Sequence, residues 1–406
     1  MIESAGRELR DRLVRLFGAP DATLDDAAFD ALARQVFAFQ LEYNPPYAAY
    51  CRRRGADAST LEHWSEIPAA PAAAFREIAL VAGDATQCDA VFRTSGTTLR
   101  RSRRGTHYVP DLALYHASLL PNFRRHLLAD GATLPMLSLV PPAHELTESS
   151  LAHMIDTVML AFADGGGAWF ASVARGVHVA ELNAALEVLE HERRPVCLLG
   201  TSLSFAHWMD AIAAERRRFR LPPGSRLMDT GGYKGRRRVV PEGQLREVYH
   251  EQLGLDPDFC VNEYGMTELC SQYYDDTLRE RPRGRGAEAL GTAGPTASGE
   301  PAAPVRGIAA AVPIGAARPR RKVGPPWLRA RVVDPETLRP VAAGEPGLLR
   351  HFDLANLGSV IAVQTEDLGQ EIDGGFVVLG RAAGASPRGC SIALDELISA
   401  ASEGGR

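Results

Sequence analysis

From about residue 67 to residue 280, short apolar runs alternate with longer amphipathic stretches, and this alternation limits the chain to few architectures. Segments such as ALVAG, PMLSLVPP and AWFASV have strand length and composition. Between them lie DLALYHASLLPNFRRHLL and VAELNAALEVLEHE, where apolar residues recur at helical spacing. Strands separated by helices pair in parallel, because the crossover helix returns the chain to the same end of the sheet. VCLLGTSLSF (Val196–Phe205) and SRLMDTGGYKGR (Ser225–Arg236) add two strands that run into glycine- or hydroxyl-bearing loops. In open α/β sheets, ligands collect at such strand ends.

The flanks differ. Residues 1–66 predict a helical N-terminal unit: Leu9, Leu13, Leu16 and Phe17, then Phe29, Leu32, Val36, Phe37 and Phe39, fall on helical faces. Pro45–Pro46 break this unit before a short aromatic helix. Residues 281–326 are rich in Gly, Ala, Pro and Arg with few large apolar side chains, so a mobile loop or linker is expected. No aromatic residues are interleaved among its arginines, which favours a solvated linker over a nucleic-acid-binding arm. Residues 327–380 read as a small β subdomain. Residues 381–406 form a short C-terminal segment that carries Cys390.

Composition excludes several classes. A net charge of −5 gives no general attraction to nucleic acid or anionic membrane. The 6 cysteines form no CxxC pair, which argues against structural zinc and against a disulfide scaffold. No transmembrane segment or signal sequence is expected, and the cytoplasm is the default compartment. No GxSxG elbow, P-loop or GxGxxG fingerprint stands at a strand end, which disfavours hydrolase, P-loop and dinucleotide-binding readings.

Two motifs carry the chemistry. RTSGTT (Arg93–Thr98) follows an apolar segment; its glycine lets backbone N–H groups approach an anion, and Ser95, Thr97 and Thr98 add hydroxyl donors. NEYGMTE (Asn262–Glu268) groups an aromatic ring, a glycine, a hydroxyl and a carboxylate. That set suits a base, a phosphate and a magnesium ion, although Thr267–Glu268 also has the form of a helix cap.

Taken with the acidic TED (Thr365–Asp367) and Gly380–Arg381, these motifs follow the order found in the adenylate-forming superfamily. FQLEYNPPYAAYC, IPAAPAAAFRE, DTGGYKGR, PPWLRARVVDPET and RGCS resemble its LuxE-like acyl-protein synthetase branch over nearly the whole chain apart from the basic linker. The resemblance implies an adenylate-forming-enzyme-like α/β fold with mostly parallel sheets. The helical N-terminal unit would precede a nucleotide-binding core at 67–280, followed by the small β subdomain and a truncated C-terminal region.

In activity, the resemblance implies a ligase that uses ATP and Mg2+ to activate a carboxylic acid, a fatty acid by analogy, as an acyl-adenylate. Thr94, Ser95, Gly96, Thr97 and Thr98 would cradle ATP phosphates, and Gly231 and Gly232 would turn beside the adenine or acyl pocket. Tyr264 and Gly265 would lie near the adenine, Thr267 would meet the α-phosphate and Glu268 would hold magnesium. Asp367 would bind the ribose hydroxyls, with Arg381 supporting the ribose or phosphate side. Cys390 would carry the acyl group as a thioester until an acyl reductase or carrier-protein partner takes it. Its neighbour Arg388 and a helix start at Ser391 lead to the expectation of a lowered thiol pKa.

Little chain follows Arg381, so the mobile C-terminal domain of the wider superfamily, with its catalytic lysine, is expected to be absent. Lys234, Lys322 or a partner would then supply positive charge. Arg93, Arg100, Arg101, Arg103, Arg104 and Arg236 are further cations near the two loops, as phosphate ligands or as solvated surface. His144 and His153 are candidate bases or structural histidines, and Ser149–Ser150 either cap a helix or line the site. Two alternatives remain: a ligase that delivers the adenylate directly to coenzyme A or a carrier thiol, and a non-catalytic subunit of a reductase complex.

Overall fold

The computed structural model describes residues 4–19, 22–95, 103–231, 242–280, 320–382 and 387–404. The chain begins with three helices, α1 (Ser4–Phe17), α2 (Asp26–Tyr43) and α3 (Pro45–Arg53). Asp25 caps α2 by accepting the Ala28 N–H at 2.7 Å. The α2 residues Phe29, Leu32, Ala33, Val36 and Phe37 are buried, as their helical spacing predicts. Asn44 caps α3, and Pro45–Pro46 occupy its first turn, where a missing N–H costs no helical hydrogen bond.

Short strands β1 (Ala70–Pro71), β2 (Ala90–Arg93) and β3 (Thr106–Val109) precede α4 (Leu112–Leu127). The alternating region then runs β4 (Met136–Ser138), α5 (Ser150–Phe162), β5 (Ala168–Trp169), β6 (Ala171–Ser172), β7 (Gly176–Val177), α6 (Val179–His191), β8 (Cys197–Thr201), α7 (Ser202–Ala214), β9 (Arg226–Thr230), α8 (Glu242–Leu253) and β10 (Cys260–Tyr264). It closes with β11 (Tyr273–Asp275), β12 (Lys322–Val323), β13 (Leu328–Val333), β14 (Pro346–Asp353), β15 (Ala362–Ile372), β16 (Gly375–Arg381) and α9 (Arg388–Gly404). Residues 281–319, most of the expected linker, lie outside the described residues.

Among the described residues the main sheet has the order β13-β14-β15-β16-β12-β11-β10-β9-β8-β4-β5, with β1 added in parallel beside β15. Pairing is parallel from β5 through β10, where helices make the crossovers. From β10 onward the strands pair antiparallel. Strand alternation explains the layers. Met136, Cys197, Leu199, Met228 and Val261 join one core, while Leu137, Leu198, Leu227 and Cys260 join the other. Strands β4, β8 and β9 are thus buried on both faces, which is why they read as apolar runs. No helix among the described residues is long and apolar enough to cross a membrane.

The N-terminal helices are tied to the connection between β14 and β15. Buried Gln40 donates Nε2–H to the carbonyls of Asn356 (2.9 Å) and Leu357 (3.3 Å), and its Oε1 accepts the Ile361 N–H at 2.9 Å. Asn44 adds a bond to the Ser359 carbonyl at 2.9 Å, and Phe17 stacks on Trp327 with centroids 4.3 Å apart. Removing a buried amide strands its partners as unsatisfied groups. Gln40→Ala is therefore expected to destabilise the fold by about 3 kcal/mol, read as a lower denaturation midpoint at unchanged slope. A change within about 0.5 kcal/mol would show that water replaces these bonds without loss.

Candidate active site

The first motif begins where β2 ends. Arg93 lies opposite Thr106 in the β2–β3 ladder, and the hydroxyl-rich loop leaves from this point. Of that loop Thr94 and Ser95 are described; Gly96, Thr97, Thr98, Arg100 and Arg101 lie outside the described residues. Thr94 closes the loop base, its N–H donating to the Gly105 carbonyl and its Oγ1 accepting the Gly105 N–H, both at 2.9 Å.

Here the two motifs meet. A Cβ on Gly105 would sit 3.1 Å from Thr94 Cγ2 and 3.4 Å from Glu268 Oε1. Thr94 and Glu268 therefore flank one glycine, although 174 residues separate them in sequence. Arg93 and Arg104 both pair with Glu148, at 3.0 and 2.9 Å, and Arg104 Nε donates to the Thr94 carbonyl at 2.6 Å. These partly exposed arginines brace the base of the loop with their charge shared by Glu148. Arg103 lies 3.9 Å from Glu77.

The second motif is the end of β10 and the turn beyond it. No helix starts at Thr267, so the capping alternative does not hold. The turn is pinned through its backbone instead. Buried His107 on β3 donates Nδ1–H to the Thr267 carbonyl at 2.7 Å, and burial lowers its pKa to about 4, so the ring is neutral at physiological pH. Asn356 Nδ2 donates to the Glu268 carbonyl at 2.9 Å. Asp353 accepts the N–H groups of Cys270 (3.1 Å) and Ser271 (2.8 Å) and the Ser271 hydroxyl (2.7 Å). Glu268 itself is buried, 6% exposed.

The Tyr264 hydroxyl donates to Asp367 Oδ2 at 2.9 Å, which joins the YGMTE and TED motifs. Its ring lies among Tyr273, His351 and Phe376. Asp367 faces Arg381 across the β15–β16 ladder. Arg381 pairs with Glu366 at 2.8 Å, and Glu366, Asp367 and Glu268 all favour its charged form. Gly231 ends β9 at φ +75°, a left-handed conformation that glycine adopts without strain, and its carbonyl accepts the Ser202 hydroxyl at 2.8 Å. Gly232, Lys234 and Arg236 lie outside the described residues.

Several site residues were not singled out from sequence. Glu263 is buried, receives a hydrogen bond from the Thr230 hydroxyl, and is pushed up to about 7 by burial. A Cβ on Gly265 would sit 2.2 Å from Glu263 Oε1, so the glycine of YGMTE makes room for this carboxyl group. Lys322, a candidate phosphate cation, is buried and donates to Asn262 Oδ1 at 2.6 Å and Asp275 Oδ1 at 2.8 Å. Its charge braces β10 against β11 and β12. His107 and Asn356 were equally unmarked, because nothing local distinguishes them from core polar residues.

The histidine and serine candidates fall mostly to structure. Ser149 caps α5 by accepting the Ala152 N–H at 3.2 Å. His153 Nε2 lies 2.9 Å from His116 Nε2 in a stacked pair, and His144 is exposed.

Cys390 departs from expectation. Helix α9 starts at Arg388, three residues early, and places Cys390 in its first turn. The thiol is 5% exposed and packs with Val333, Leu338, Leu348, Leu368 and Ala382, with Sγ 3.8 Å from the Thr365 carbonyl. Burial pushes its pKa up to about 11, helped by Glu366 and opposed by Arg350. The expected lowering does not occur because desolvation of the thiolate outweighs the helix terminus. A Cβ on Gly389 would lie 2.8 Å from Leu338 Cγ, so the glycine before the thiol permits this close approach.

No family model matches the chain. A segment of 50 residues is 48% identical to a long-chain-fatty-acid–luciferin-component ligase of Aliivibrio fischeri, covering 12% of this chain and 13% of that protein. A segment of 88 residues is 28% identical to the Vibrio harveyi protein of the same name, covering 20% of this chain and 23% of that one. The matched segments thus span less than a quarter of either relative. In structure, the chain is similar to an open conformation of 2-hydroxyisobutyryl-CoA ligase, with a TM-score of 0.56 and 14% identity over 90% of this chain and 76% of that one. The post-adenylation state of that ligase gives a TM-score of 0.57 and 14% identity over 88% and 67% of the two chains. The fold is that of the adenylate-forming enzymes, and the LuxE-like resemblance is borne out over the matched segments.

Glu263 supplies a pH test. Between the ordinary carboxyl range and about 7, the folded state keeps a proton on Glu263 that the unfolded chain has released. Its contribution therefore lowers stability as pH rises through that window and is constant above it. Glu263→Gln is expected to raise Tm relative to the parent chain more at about pH 8 than at about pH 5. Equal shifts at both would show that this carboxyl ionises normally.

Proposed function

We propose that this chain activates a carboxylic acid with ATP, forms an acyl-adenylate, and passes the acyl group to Cys390 and then to a reductase or carrier partner. The observation that carries the first step is Thr94 and Glu268 flanking Gly105, which puts a hydroxyl donor and a carboxylate at one strand-end loop. The names of the two sequence relatives point to a long-chain fatty acid as the substrate.

In this reading a substrate carboxylate oxygen attacks the α-phosphorus, the bond to the β-phosphate bridge breaks, and pyrophosphate leaves. Thr94, Ser95 and Thr267 supply oriented donors to the phosphates, with Gly96, Thr97 and Thr98 completing the loop. Such pre-oriented donors stabilise charge at the α-phosphate without reorganising during the reaction. Glu268 with the Thr94 hydroxyl fits magnesium, which takes one or two protein oxygens and fills its shell with phosphate and water. When bound, the ion would neutralise phosphate charge. Asp367 accepts the Tyr264 hydroxyl through Oδ2 and would meet the ribose hydroxyls through its other oxygen, with Arg381 alongside.

In the second half-reaction the Cys390 sulfur attacks the acyl carbonyl, the thiol proton leaves to solvent, and AMP departs. The burial of Cys390 favours a second reading, in which the adenylate is delivered directly to coenzyme A or a carrier thiol. The order of events discriminates: acyl-enzyme either precedes product or never forms.

ATP–pyrophosphate exchange with magnesium, measured across fatty and aryl acids, tests adenylation whatever the final acceptor. Exchange is expected with long-chain acids, and Glu268→Gln should lower it by about 100-fold or more. Silence from folded protein that still binds ATP would remove the catalytic reading and favour a non-catalytic subunit. Cys390→Ser is expected to keep full exchange while losing hydroxylamine-sensitive acyl label. Label retained at parental level in that variant would remove Cys390 as the acyl carrier, and a parent chain that makes product without ever acquiring label would leave direct transfer as the surviving route.

A further inference from the structure

A cleft lies near the cluster that buries Cys390. Its volume is about 400 Å3, and Arg54, Leu61, Glu66, Ile67, Leu338 and Arg350 are among its walls. Leu338 is shared, because it also packs in the small cluster that buries Cys390. Leu338 thus borders both the cleft and the cluster that buries the thiol. Leu338 has φ +56°, the left-handed region that a leucine adopts only when its surroundings hold it there. Two bonds do so: its N–H donates to the Asp334 carbonyl at 2.9 Å, and its carbonyl accepts Arg350 Nη2 at 3.0 Å.

Arg350 is the unusual wall. It is half-buried on β14, opposite Gln364 in the ladder, and donates Nε–H to Gln364 Oε1 at 2.9 Å. Both of its acceptors are neutral. Among the described residues no carboxylate stands within ion-pair distance of it, whereas Arg54 pairs with Glu396 at 2.6 Å. Glu66 on the cleft wall accepts the Glu62 N–H at 2.9 Å and contributes no ion pair to Arg350. Burial draws the Arg350 pKa down to about 10, with Arg54 acting in the same direction. A desolvated guanidinium without a counter-charge is costly, and an oxyanion from solvent relieves that cost through the fork of parallel N–H donors.

We propose that this cleft is an oxyanion-binding subsite, with Arg350 as its cation, that takes a phosphate or carboxylate group of a small ligand next to Cys390. It stands apart from the adenylation reading, since neither Thr94 nor Glu268 takes part. A bound anion would cancel the field of Arg350 at the thiol and fill the approach past Leu338.

The alkylation rate of the Cys390 peptide by iodoacetamide, followed by mass spectrometry, reads this directly. The full chain is titrated with inorganic phosphate, then with acetate, against sodium chloride at matched ionic strength. Phosphate is expected to slow labelling saturably by about three-fold, the size a partly exposed charge pair supports. Acetate acting as strongly would assign the subsite to carboxylates, and a weaker effect would assign it to phosphates. Arg350→Gln should abolish the dependence, while Thr94→Ala, altered at the other phosphate-binding loop, should keep it. A parental rate indifferent to both anions overturns the proposal, as does equal slowing in Arg350→Gln. If that variant does not fold, the parental titration and Arg350→Lys decide, the lysine being expected to weaken the effect without erasing it.

Discussion

The site depends on a buried asparagine whose side chain ties the Glu268 turn to the connection between β14 and β15. Asn356 donates through Nδ2 to the carbonyls of Glu268 and Val360, and its Oδ1 accepts the Cys270 N–H at 2.9 Å. Its own carbonyl receives Gln40 from the N-terminal helices. Asp353, three residues earlier and fully buried, shares the Cys270 N–H and takes that of Ser271 in the same turn. Beyond Tyr264 the turn has neither helix nor ladder to order it, so these side chains do the work that secondary structure does elsewhere. Removing one partner would leave several buried polar groups unmet, which makes such networks rigid when complete. Glu268 stays beside Thr94 because helices more than 200 residues earlier hold Asn356.

The electrostatics follow the same economy. Lys322 is neutralised by Asp275, Arg93 and Arg104 share Glu148, and Arg381 pairs with Glu366. These cations hold the frame in the absence of a ligand. A polyanion entering at Thr94 would meet arginines that already have a carboxylate, so its gain is the difference between two partners rather than a whole ion pair. Glu148 is partly exposed and can yield to it, whereas Asp275 is buried beneath β10 and cannot. Position in the fold thus separates cations able to change partner from those that only brace the sheet.

Much of this was legible in the sequence. Parallel strands buried on both faces are written as unbroken apolar runs, and β8 and β9 fall where VCLLGT and RLMDT stand. The helical spacing of Phe29, Leu32, Val36 and Phe37 gave α2. ALVAG, by contrast, forms no strand, because Leu80, Val81 and Ala82 are buried as a connecting segment whose backbone bonds run to the β14–β15 connection and to α2. The motif residues Thr94, Glu268, Tyr264, Asp367 and Arg381 do converge in space. Glu263, His107 and Asn356 were illegible for a common reason: their roles consist of contacts to distant chain segments, which leave no periodicity and no local spacing. The Cys390 environment failed for the opposite reason. Its local signals were present, but the burial that overrides them comes from β13, β14 and the Leu338 turn.

That burial bears on what a cysteine at this place is suited to do. A thiol pushed up to about 11 is a poor nucleophile at neutral pH, since little thiolate is present. The penalty falls only on the charged form. A thioester is neutral and apolar, so the same desolvation that suppresses the thiolate leaves an acylated Cys390 undisturbed and shields its carbonyl from water. If Cys390 carries the acyl group as proposed, low reactivity before acylation and long life after it would follow from one cause. The barrier is then concentrated at sulfur attack, where an acyl-adenylate, activated far beyond a carboxylate, has driving force to offset it. Leaving again as thiolate requires positive charge at the sulfur, and the cation that opposes Glu366 there is Arg350. On the proposed reading, an acyl group on Cys390 would sit against Val333, Leu348 and Leu368, with the Arg350 guanidinium as the charge that favours the departing thiolate.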